Sequence, residues 1–285
     1  MLSYIGPAAA QTTSDISALN FALNLSYLQG QFFSYVVTGG AVAAQIGTGA
    51  IGAVTPGRKV KLDDATTALI TEIGNDTRNV ATPMRVIIGA LAIGQPALDI
   101  TGGTTGPFAT VMQQAGVVAT GASFDPYASE ENMLYSAFYL KDTALAAYRG
   151  LLPLLTNRVV VQLFCGLIAT EAHHAAVIRG LLYARGATAA QMRTNADKIA
   201  AFRRMLGGEK AGYGISGSTR TYTGPSGAAT TVKHSNVTSA DNNGEVGQCT
   251  PEQVLAQLYL SRTAATQGGF FPVGVNGTFR TSASI

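Results

Sequence analysis

The segment TNRVVVQLFCGLIATEAHHAAVIRGLLYA, residues 156–184, has the pattern of one long helix that decides the fold. Its apolar residues recur at helical spacing: Val160, Leu163, Leu167, Ile168, Ala175 and Ile178. Gly186 is expected to end the helix. Glu171 and His174 stand one turn apart within this pattern and share one face of the helix. The segment therefore predicts a helix that brings a carboxylate and an imidazole into a helical core.

Two more helices are predicted at the start of the chain. Residues 14–37 carry apolar side chains at spacings of three, four and seven. A second helix should begin at Asp63 or Asp64, because either residue can cap it. Pro83 lies inside the second pattern and is expected to kink or break it.

A third long helix is predicted after Asp125-Pro126, a capping residue followed by proline at the first helical position. Residues 95–124, rich in Gly, Thr and Pro, form a long crossover before it. Two helices, a long crossover and two more helices are the connectivity of a ferritin-like four-helix bundle. We therefore predict an all-α fold of this type.

The rest of the chain is predicted to extend the bundle. A shorter fifth helix covers the region of residues 192–206, and residues 207–249 have the composition of an extended loop or of short edge strands. Thr250 to Gln253 form a capping box that starts one last short helix. The predicted organisation is an N-terminal arm over 1–12, a helical bundle over 13–206 and a loop-rich C-terminal extension over 207–285.

Composition limits the function classes. Of the 285 residues, 47% are hydrophobic and only 12% are charged, so little charge keeps the surface soluble. We expect copies of the chain to cover part of it, as a homo-oligomer or a filament. The net charge of +3 comes from scattered residues, which argues against nucleic acid. No apolar run approaches the roughly 20 residues of a membrane span.

Cellular location depends on two weak signals. Ala8-Ala9-Ala10 resembles a signal-peptide cleavage site, but no basic start precedes it. A disulfide between Cys165 and Cys249 would suit an extracellular protein. The alternative is one buried thiol and one unrelated thiol. An extracellular or cell-surface location is predicted, with the periplasm as a variant of it.

Four blocks of sequence resemble the ferritin-like desiccation-related protein family. They are LNFALNL at 19–25, AYRG at 147–150, EAHHAAVIR at 171–179 and GGFFPVGVNG at 268–277. The blocks lie in the first, third and fourth bundle helices and in the C-terminal region. The resemblance implies a ferritin-like fold, and it implies function only weakly.

The resemblance also indicates where a di-iron centre would lie. Such a centre takes one Glu from each of two helices and a Glu-x-x-His pair from each of the other two. The pair on the fourth helix is intact as Glu171 and His174. The other ligand positions of the family fall on poorer ligands: Ser26 and Gln29 on the first helix, Asp76 and Asn79 on the second, and Lys141 on the third.

Lys141 decides between a metal-binding core and a metal-free one. A protonated lysine offers no lone pair and repels divalent metal. We predict that it forms an ion pair with Glu171 between the third and fourth helices. No metal or other cofactor is expected. The alternative is a single-metal site made by Asp76, Glu171 and His174, whereas His173 is expected at the surface.

The sequence therefore predicts a non-catalytic structural or protective protein that is secreted or surface-located and packs with copies of itself. The alternative is a metal-binding ferritin-like oxidoreductase or storage protein with a reduced single-metal site. A carrier that holds a small ligand in the bundle interior is the third hypothesis.

Overall fold

The computed structural model describes residues 11–241 and 243–285. Most of the predicted N-terminal arm, 1–12, lies outside the described residues. The helices are α1 (Thr13–Thr38), α2 (Asp64–Asn79), α3 (Ala81–Ile88), α4 (Pro107–Gln114), α5 (Glu130–Leu151), α6 (Arg158–Arg185), α7 (Gln191–Gly207) and α8 (Pro251–Tyr259). Short 3-10 turns cover Gly89–Leu91, Leu152–Leu154 and Glu209–Ala211. The strands are β1 (Val54–Thr55), β2 (Leu98–Asp99), β3 (Ser218–Thr223) and β4 (Ala229–His234), and they pair as β1 with β2 in parallel and β3 with β4 antiparallel.

The four long elements of the bundle are α1, the α2–α3 pair, α5 and α6. Helix α1 packs against α2, α3 and α5, and α5 packs against α6. Most residues of α1 and α5 are buried, so these two helices form the centre of the core. Helices α7 and α8 pack on α5 from outside the bundle. The predicted all-helical bundle with a long crossover is confirmed.

The start of α1 is joined to the start of α6 by one buried carboxylate. Asp15 completes a capping box with Thr12. Its other oxygen accepts from the backbone N–H of Thr156 at 2.8 Å and of Asn157 at 3.2 Å. Burial raises the pKa of Asp15, but these hydrogen bonds outweigh burial and hold it well below its usual range. The two helices therefore begin at the same end of the bundle.

Two helix boundaries differ from the predicted ones. The second helix breaks at Val80 rather than at Pro83, which lies in the first turn of α3. A proline is tolerated there because the first N–H groups of a helix have no intrahelical acceptor. Helix α5 begins at Glu130 with Ser129 as its cap. Asp125 instead accepts from the backbone N–H of Tyr127, which makes a turn before the helix.

The C-terminal extension returns to the bundle. The predicted capping box at Thr250 and Gln253 is confirmed at the start of α8. Phe270 is fully buried, 4.9 Å from the ring of Phe108 in the crossover. The backbone N–H of Asn276 donates to the side chain of Asn24 on α1. No observation fixes a boundary at residues 206 and 207, so that division stays a prediction.

The disulfide alternative is wrong, since both cysteines are free. Cys165 is exposed on the outer side of α6, whereas Cys249 is buried. The Cys249 thiol donates to the carbonyl of Gly207 and accepts from the side chain of Gln257. Burial raises the pKa of Cys249 to about 11. The other prediction, one buried thiol and one unrelated thiol, agrees with the structure.

Helix α6 is more apolar than its sequence pattern predicted. Within the described part of the chain it is the one helix long and apolar enough to cross a membrane, with a mean hydropathy of 1.3 in its most apolar window. Only 33% of that window is buried. A core helix of a soluble protein passes the same test, and α6 places Glu171 and His174 in the bundle interior. The absence of a membrane span stays a prediction.

Candidate functional site: an ionic network in the bundle core

Lys141 lies at the centre of the bundle with no exposed surface. Its Nζ atom is 2.6 Å from Thr77 Oγ1, 3.2 Å from Glu171 Oε1 and 3.2 Å from His174 Nδ1. The Phe33 ring lies 5.1 Å from the same nitrogen. An ammonium group has three N–H donors, and here each one has an acceptor. The geometry therefore suits a charged lysine.

These contacts fix the tautomer of His174. Because Nδ1 accepts from Lys141, the ring proton resides on Nε2, which donates to Asp76 Oδ2 at 3.2 Å. Burial and the charge of Lys141 lower the pKa of His174 to about 4, although Asp76 opposes the shift. The imidazole is therefore neutral at pH 7 and links the buried lysine to a half-exposed carboxylate.

The Lys141–Glu171 contact is an ion pair between α5 and α6. Burial lowers the pKa of Lys141, and the charge of Glu171 opposes this effect. Burial likewise raises the pKa of Glu171, and Lys141 opposes it. Thr77 donates its own proton to the carbonyl of Ile73 at 2.6 Å, which leaves its oxygen free to accept from Lys141. Each charge thus lowers the cost of burying the other.

We predict that acid destabilises the fold through His174. The unfolded imidazole takes up a proton near pH 6.5, whereas folded His174 stays neutral until about pH 4. The unfolded state therefore binds more protons in this window, and the free energy of unfolding falls as pH is lowered. The loss should be on the order of 3 kcal/mol across the window.

Urea denaturation at several pH values measures this dependence. His174→Gln should flatten it, whereas His173→Gln is the matched control, since His173 is exposed on the same helix. An unchanged slope in His174→Gln would contradict the prediction.

The structure brings most of the sequence-predicted residues together. Ser26 donates to the backbone carbonyl of Thr77 at 3.3 Å, and Gln29 is buried near Glu171. Asp76 reaches the site only through His174. Asn79, predicted at a ligand position, is instead exposed on the outside of α2.

Sequence reasoning missed Thr77, which takes the inward position on α2. The available signal was helical periodicity, because Thr77 follows the buried Ile70 and Ile73 at intervals of seven and four residues.

A second buried network was also missed. Asp142, next to Lys141 in sequence, accepts from Arg179 at 2.8 Å and from Arg203 at 3.1 Å. Both guanidinium groups are fully buried. Arg179 uses all five of its N–H donors, one on Asp142 and the others on backbone carbonyls of the extension: Tyr213, Gly214, Asn236 and Val237. Arg203 donates to Ala211 and Thr143 as well.

These donors do not fit a di-iron centre. A metal ligand must offer a lone pair, but Nδ1 of His174 is engaged by Lys141 and Nε2 carries a proton. The ammonium nitrogen also lies 3.2 Å from Glu171, where a cation would bind. Among residues 11–241 and 243–285, no three His, Cys, Asp or Glu side chains are grouped to hold a metal.

A helical bundle with a crossover before its third long helix, and with a polar centre at a Glu-x-x-His pair, defines the ferritin-like class of proteins. Residues 14–184 match the family described as Ferritin-like domain. The chain belongs to this family.

Two curated relatives extend the likeness beyond the bundle. Desiccation-related protein PCC13-62 of Craterostigma plantagineum is 27% identical to this chain, and the alignment spans 93% of this chain and 83% of that protein. Ferritin-like catalase Nec2 of Nesocodon mauritianus is also 27% identical, and its alignment spans 93% of this chain and 84% of that protein. No solved structure matches.

Proposed function

We propose that this chain is a non-catalytic ferritin-like protein with a structural or protective role. One observation carries the proposal: Lys141 is fully buried with its ammonium group hydrogen-bonded to Glu171, His174 and Thr77. The lysine engages the two groups that would otherwise bind metal, and it joins three helices instead. The relative named for desiccation supports a protective role, because the likeness spans most of both chains.

Self-association is part of the proposal. The outer side of α6 exposes Cys165, Gly166 and Ala169, which are small side chains on a largely apolar helix. Small side chains on an exposed apolar helix allow a second helix to approach closely. We propose that a second copy of the chain packs there, and sedimentation velocity over a range of concentrations tests this.

An extracellular or cell-surface location is proposed as well. Because both cysteines are free, a disulfide does not support this location, and the resemblance of Ala8-Ala9-Ala10 to a signal-peptide cleavage site is its remaining support.

Elemental analysis tests the metal-free core. The protein is produced in medium supplemented with iron and manganese and purified without chelators, and bound metal is measured per chain. We expect far less than one atom of either metal per chain. A ferritin-like protein with all of its ligands, prepared in the same medium, is the positive control. Stoichiometric iron or manganese would overturn the proposal.

The second candidate is a ferritin-like enzyme or metal-storage protein. Its favourable observation is the chain of contacts from Asp76 through His174 to Lys141 and Glu171, which keeps one carboxylate and an imidazole in the core and a second carboxylate half-exposed beside them. The relative named as a catalase shows that enzymes occur among similar proteins. Oxygen release from hydrogen peroxide tests the candidate. Activity that scales with bound metal and disappears in Glu171→Gln would favour it over the scaffold.

A further inference from the structure

The dipeptide Asn-Gly occurs twice in the sequence, at 243–244 and at 276–277. It is especially prone to lose ammonia spontaneously, because glycine has no side chain to shield its backbone nitrogen. That nitrogen attacks the asparagine Cγ, ammonia leaves, and the succinimide that forms takes up water to give aspartate or isoaspartate. The reaction needs an asparagine side chain that can turn toward the glycine nitrogen. The fold therefore decides which of the two dipeptides reacts.

The side chain of Asn276 is held in place. It is only 9% exposed. Its Nδ2 atom donates to the carbonyls of Ala50 at 2.6 Å and of Gly94 at 2.9 Å, and its Oδ1 atom accepts from the backbone N–H of Ala50 at 3.2 Å. Rotation of this amide toward Gly277 would break all three hydrogen bonds and leave buried groups unpaired, which is costly. The fold thus protects Asn276.

The side chain of Asn243 is exposed, and it makes no hydrogen bond to residues 11–241 or 243–285. Its backbone N–H donates to Oδ1 of Asp241 at 2.8 Å, which leaves the amide free to rotate. Gly244 has a φ of 78°, and apart from its chain neighbours no described atom lies within 4 Å of the place that a β-carbon would take. Its N–H donates to the Asp241 carbonyl at 3.1 Å, a turn contact that an exposed loop opens far more readily than a core does. The amide carbon of Asn243 can therefore reach the Gly244 nitrogen.

We infer that Asn243 is a site of spontaneous deamidation, with the backbone nitrogen of Gly244 as the nucleophile and ammonia as the leaving group. Water completes the reaction, so it needs no enzyme, oxidant or cofactor. Each event replaces a neutral amide by a carboxylate and lowers the formal net charge of +3 by one. The product accumulates with the age of the molecule.

The turn that carries Asn243 also joins the extension to α5. Arg149 of α5 pairs with Glu245 at 2.8 Å and donates to the carbonyl of Val246. The backbone N–H of Asp241 donates to the Glu245 carbonyl at 2.9 Å and closes the turn. Isoaspartate inserts a methylene group into the backbone between Asp241 and Glu245, so this closing hydrogen bond should be lost. Deamidation is therefore expected to loosen the extension where it meets α5.

Peptide mapping by mass spectrometry tests the inference on the folded full-length chain after long incubation in mildly alkaline buffer. The Asn243 peptide should gain the mass that accompanies exchange of an amide for a carboxylate, and it should separate into aspartate and isoaspartate forms. The Asn276 peptide should stay unchanged. An unchanged Asn243, or equal conversion of both asparagines, overturns the inference. Aspartate without isoaspartate also overturns it, because a succinimide yields both.

Incubation of the same protein in urea is the matched control. Unfolding frees Asn276, so both peptides should then convert. An Asn276 that stays unreactive in urea would show that its local sequence protects it, which would overturn the role given to the fold.

Two further measurements assign the site and its effect. Asn243→Gln should abolish the product without loss of stability, because the exposed longer side chain would have to close a larger ring that forms more slowly. Product that persists in this variant would come from another residue and overturn the assignment. Hydrogen exchange at the Asp241 amide should be faster in the isoaspartate form than in fresh protein, and equal exchange would overturn the expected loosening.

Discussion

Arg179→Met should lower the free energy of unfolding by about 3 to 5 kcal/mol, as is typical when one partner of a buried ion pair is removed. Methionine keeps a long apolar side chain but donates no hydrogen bond. Asp142 would retain Arg203 as its partner. The backbone carbonyls of the extension that accept from Arg179 would have no donor in its place. We therefore expect both global destabilisation and local opening of residues 213–237.

Urea denaturation measures the global effect, and limited proteolysis measures the local one. Cleavage should appear near the hairpin turn between β3 and β4 at protease concentrations that leave the wild-type protein intact. Arg58→Met is the matched control, because the Arg58–Asp125 ion pair is formed by a side chain that is 58% exposed. Such surface pairs contribute about 1 kcal/mol or less. Equal losses in the two variants would show that the buried network has no special role.

The sequence predicted the bundle because its signals are local. Asp63, Thr250 and Gly39 mark helix ends through their own side chains or backbone conformation. Pro83 lies in a helical region, as predicted. Because a proline is tolerated in the first turn of a helix, the break between α2 and α3 falls three residues earlier, at Val80. Such boundaries depend on which residues supply the cap, and several candidates lie close together.

The ion pair was predicted by comparison with a family pattern, and the remaining contacts show the limit of that method. Side chains two positions apart on a helix point in nearly opposite directions, since each residue advances about 100°. That rotation separates the exposed Asn79 from the inward Thr77, although both lie in the same turn of α2. A pattern placed two residues off therefore selects the wrong side of the helix.

The Arg179 network could not be predicted from the sequence. Its partners lie 34 to 58 residues away, and most are backbone carbonyls. Every residue type carries a backbone carbonyl, so the amino-acid sequence gives no signal of these acceptors. Asp142 is adjacent to Lys141, and both residues pair with α6, yet they serve separate networks. Lys141 also contacts Thr77 of α2, whereas Asp142 also contacts Arg203 of α7. Only the three-dimensional path of the extension brings these groups together.

Lys141→Met should also lower the free energy of unfolding by about 3 to 5 kcal/mol, because it leaves Glu171 buried without a countercharge. Thr77 and His174 would lose the same donor. Glu171→Leu should be similarly harmful, since it leaves the ammonium of Lys141 in the core. The double variant Lys141→Met/Glu171→Leu should recover most of the loss, because an apolar pair replaces a buried ion pair at little or no net cost.

A double-mutant cycle by urea denaturation measures the coupling between the two residues. Recovery in the double variant would show that Lys141 is retained for the charge of Glu171 and not for packing alone. A double variant as unstable as Lys141→Met would contradict this account, since the loss would then come from Thr77, His174 or altered packing. The same variants distinguish scaffold from metal centre: if Glu171 served a metal, Glu171→Leu would abolish metal binding, and added iron or manganese would stabilise the wild-type protein but not this variant.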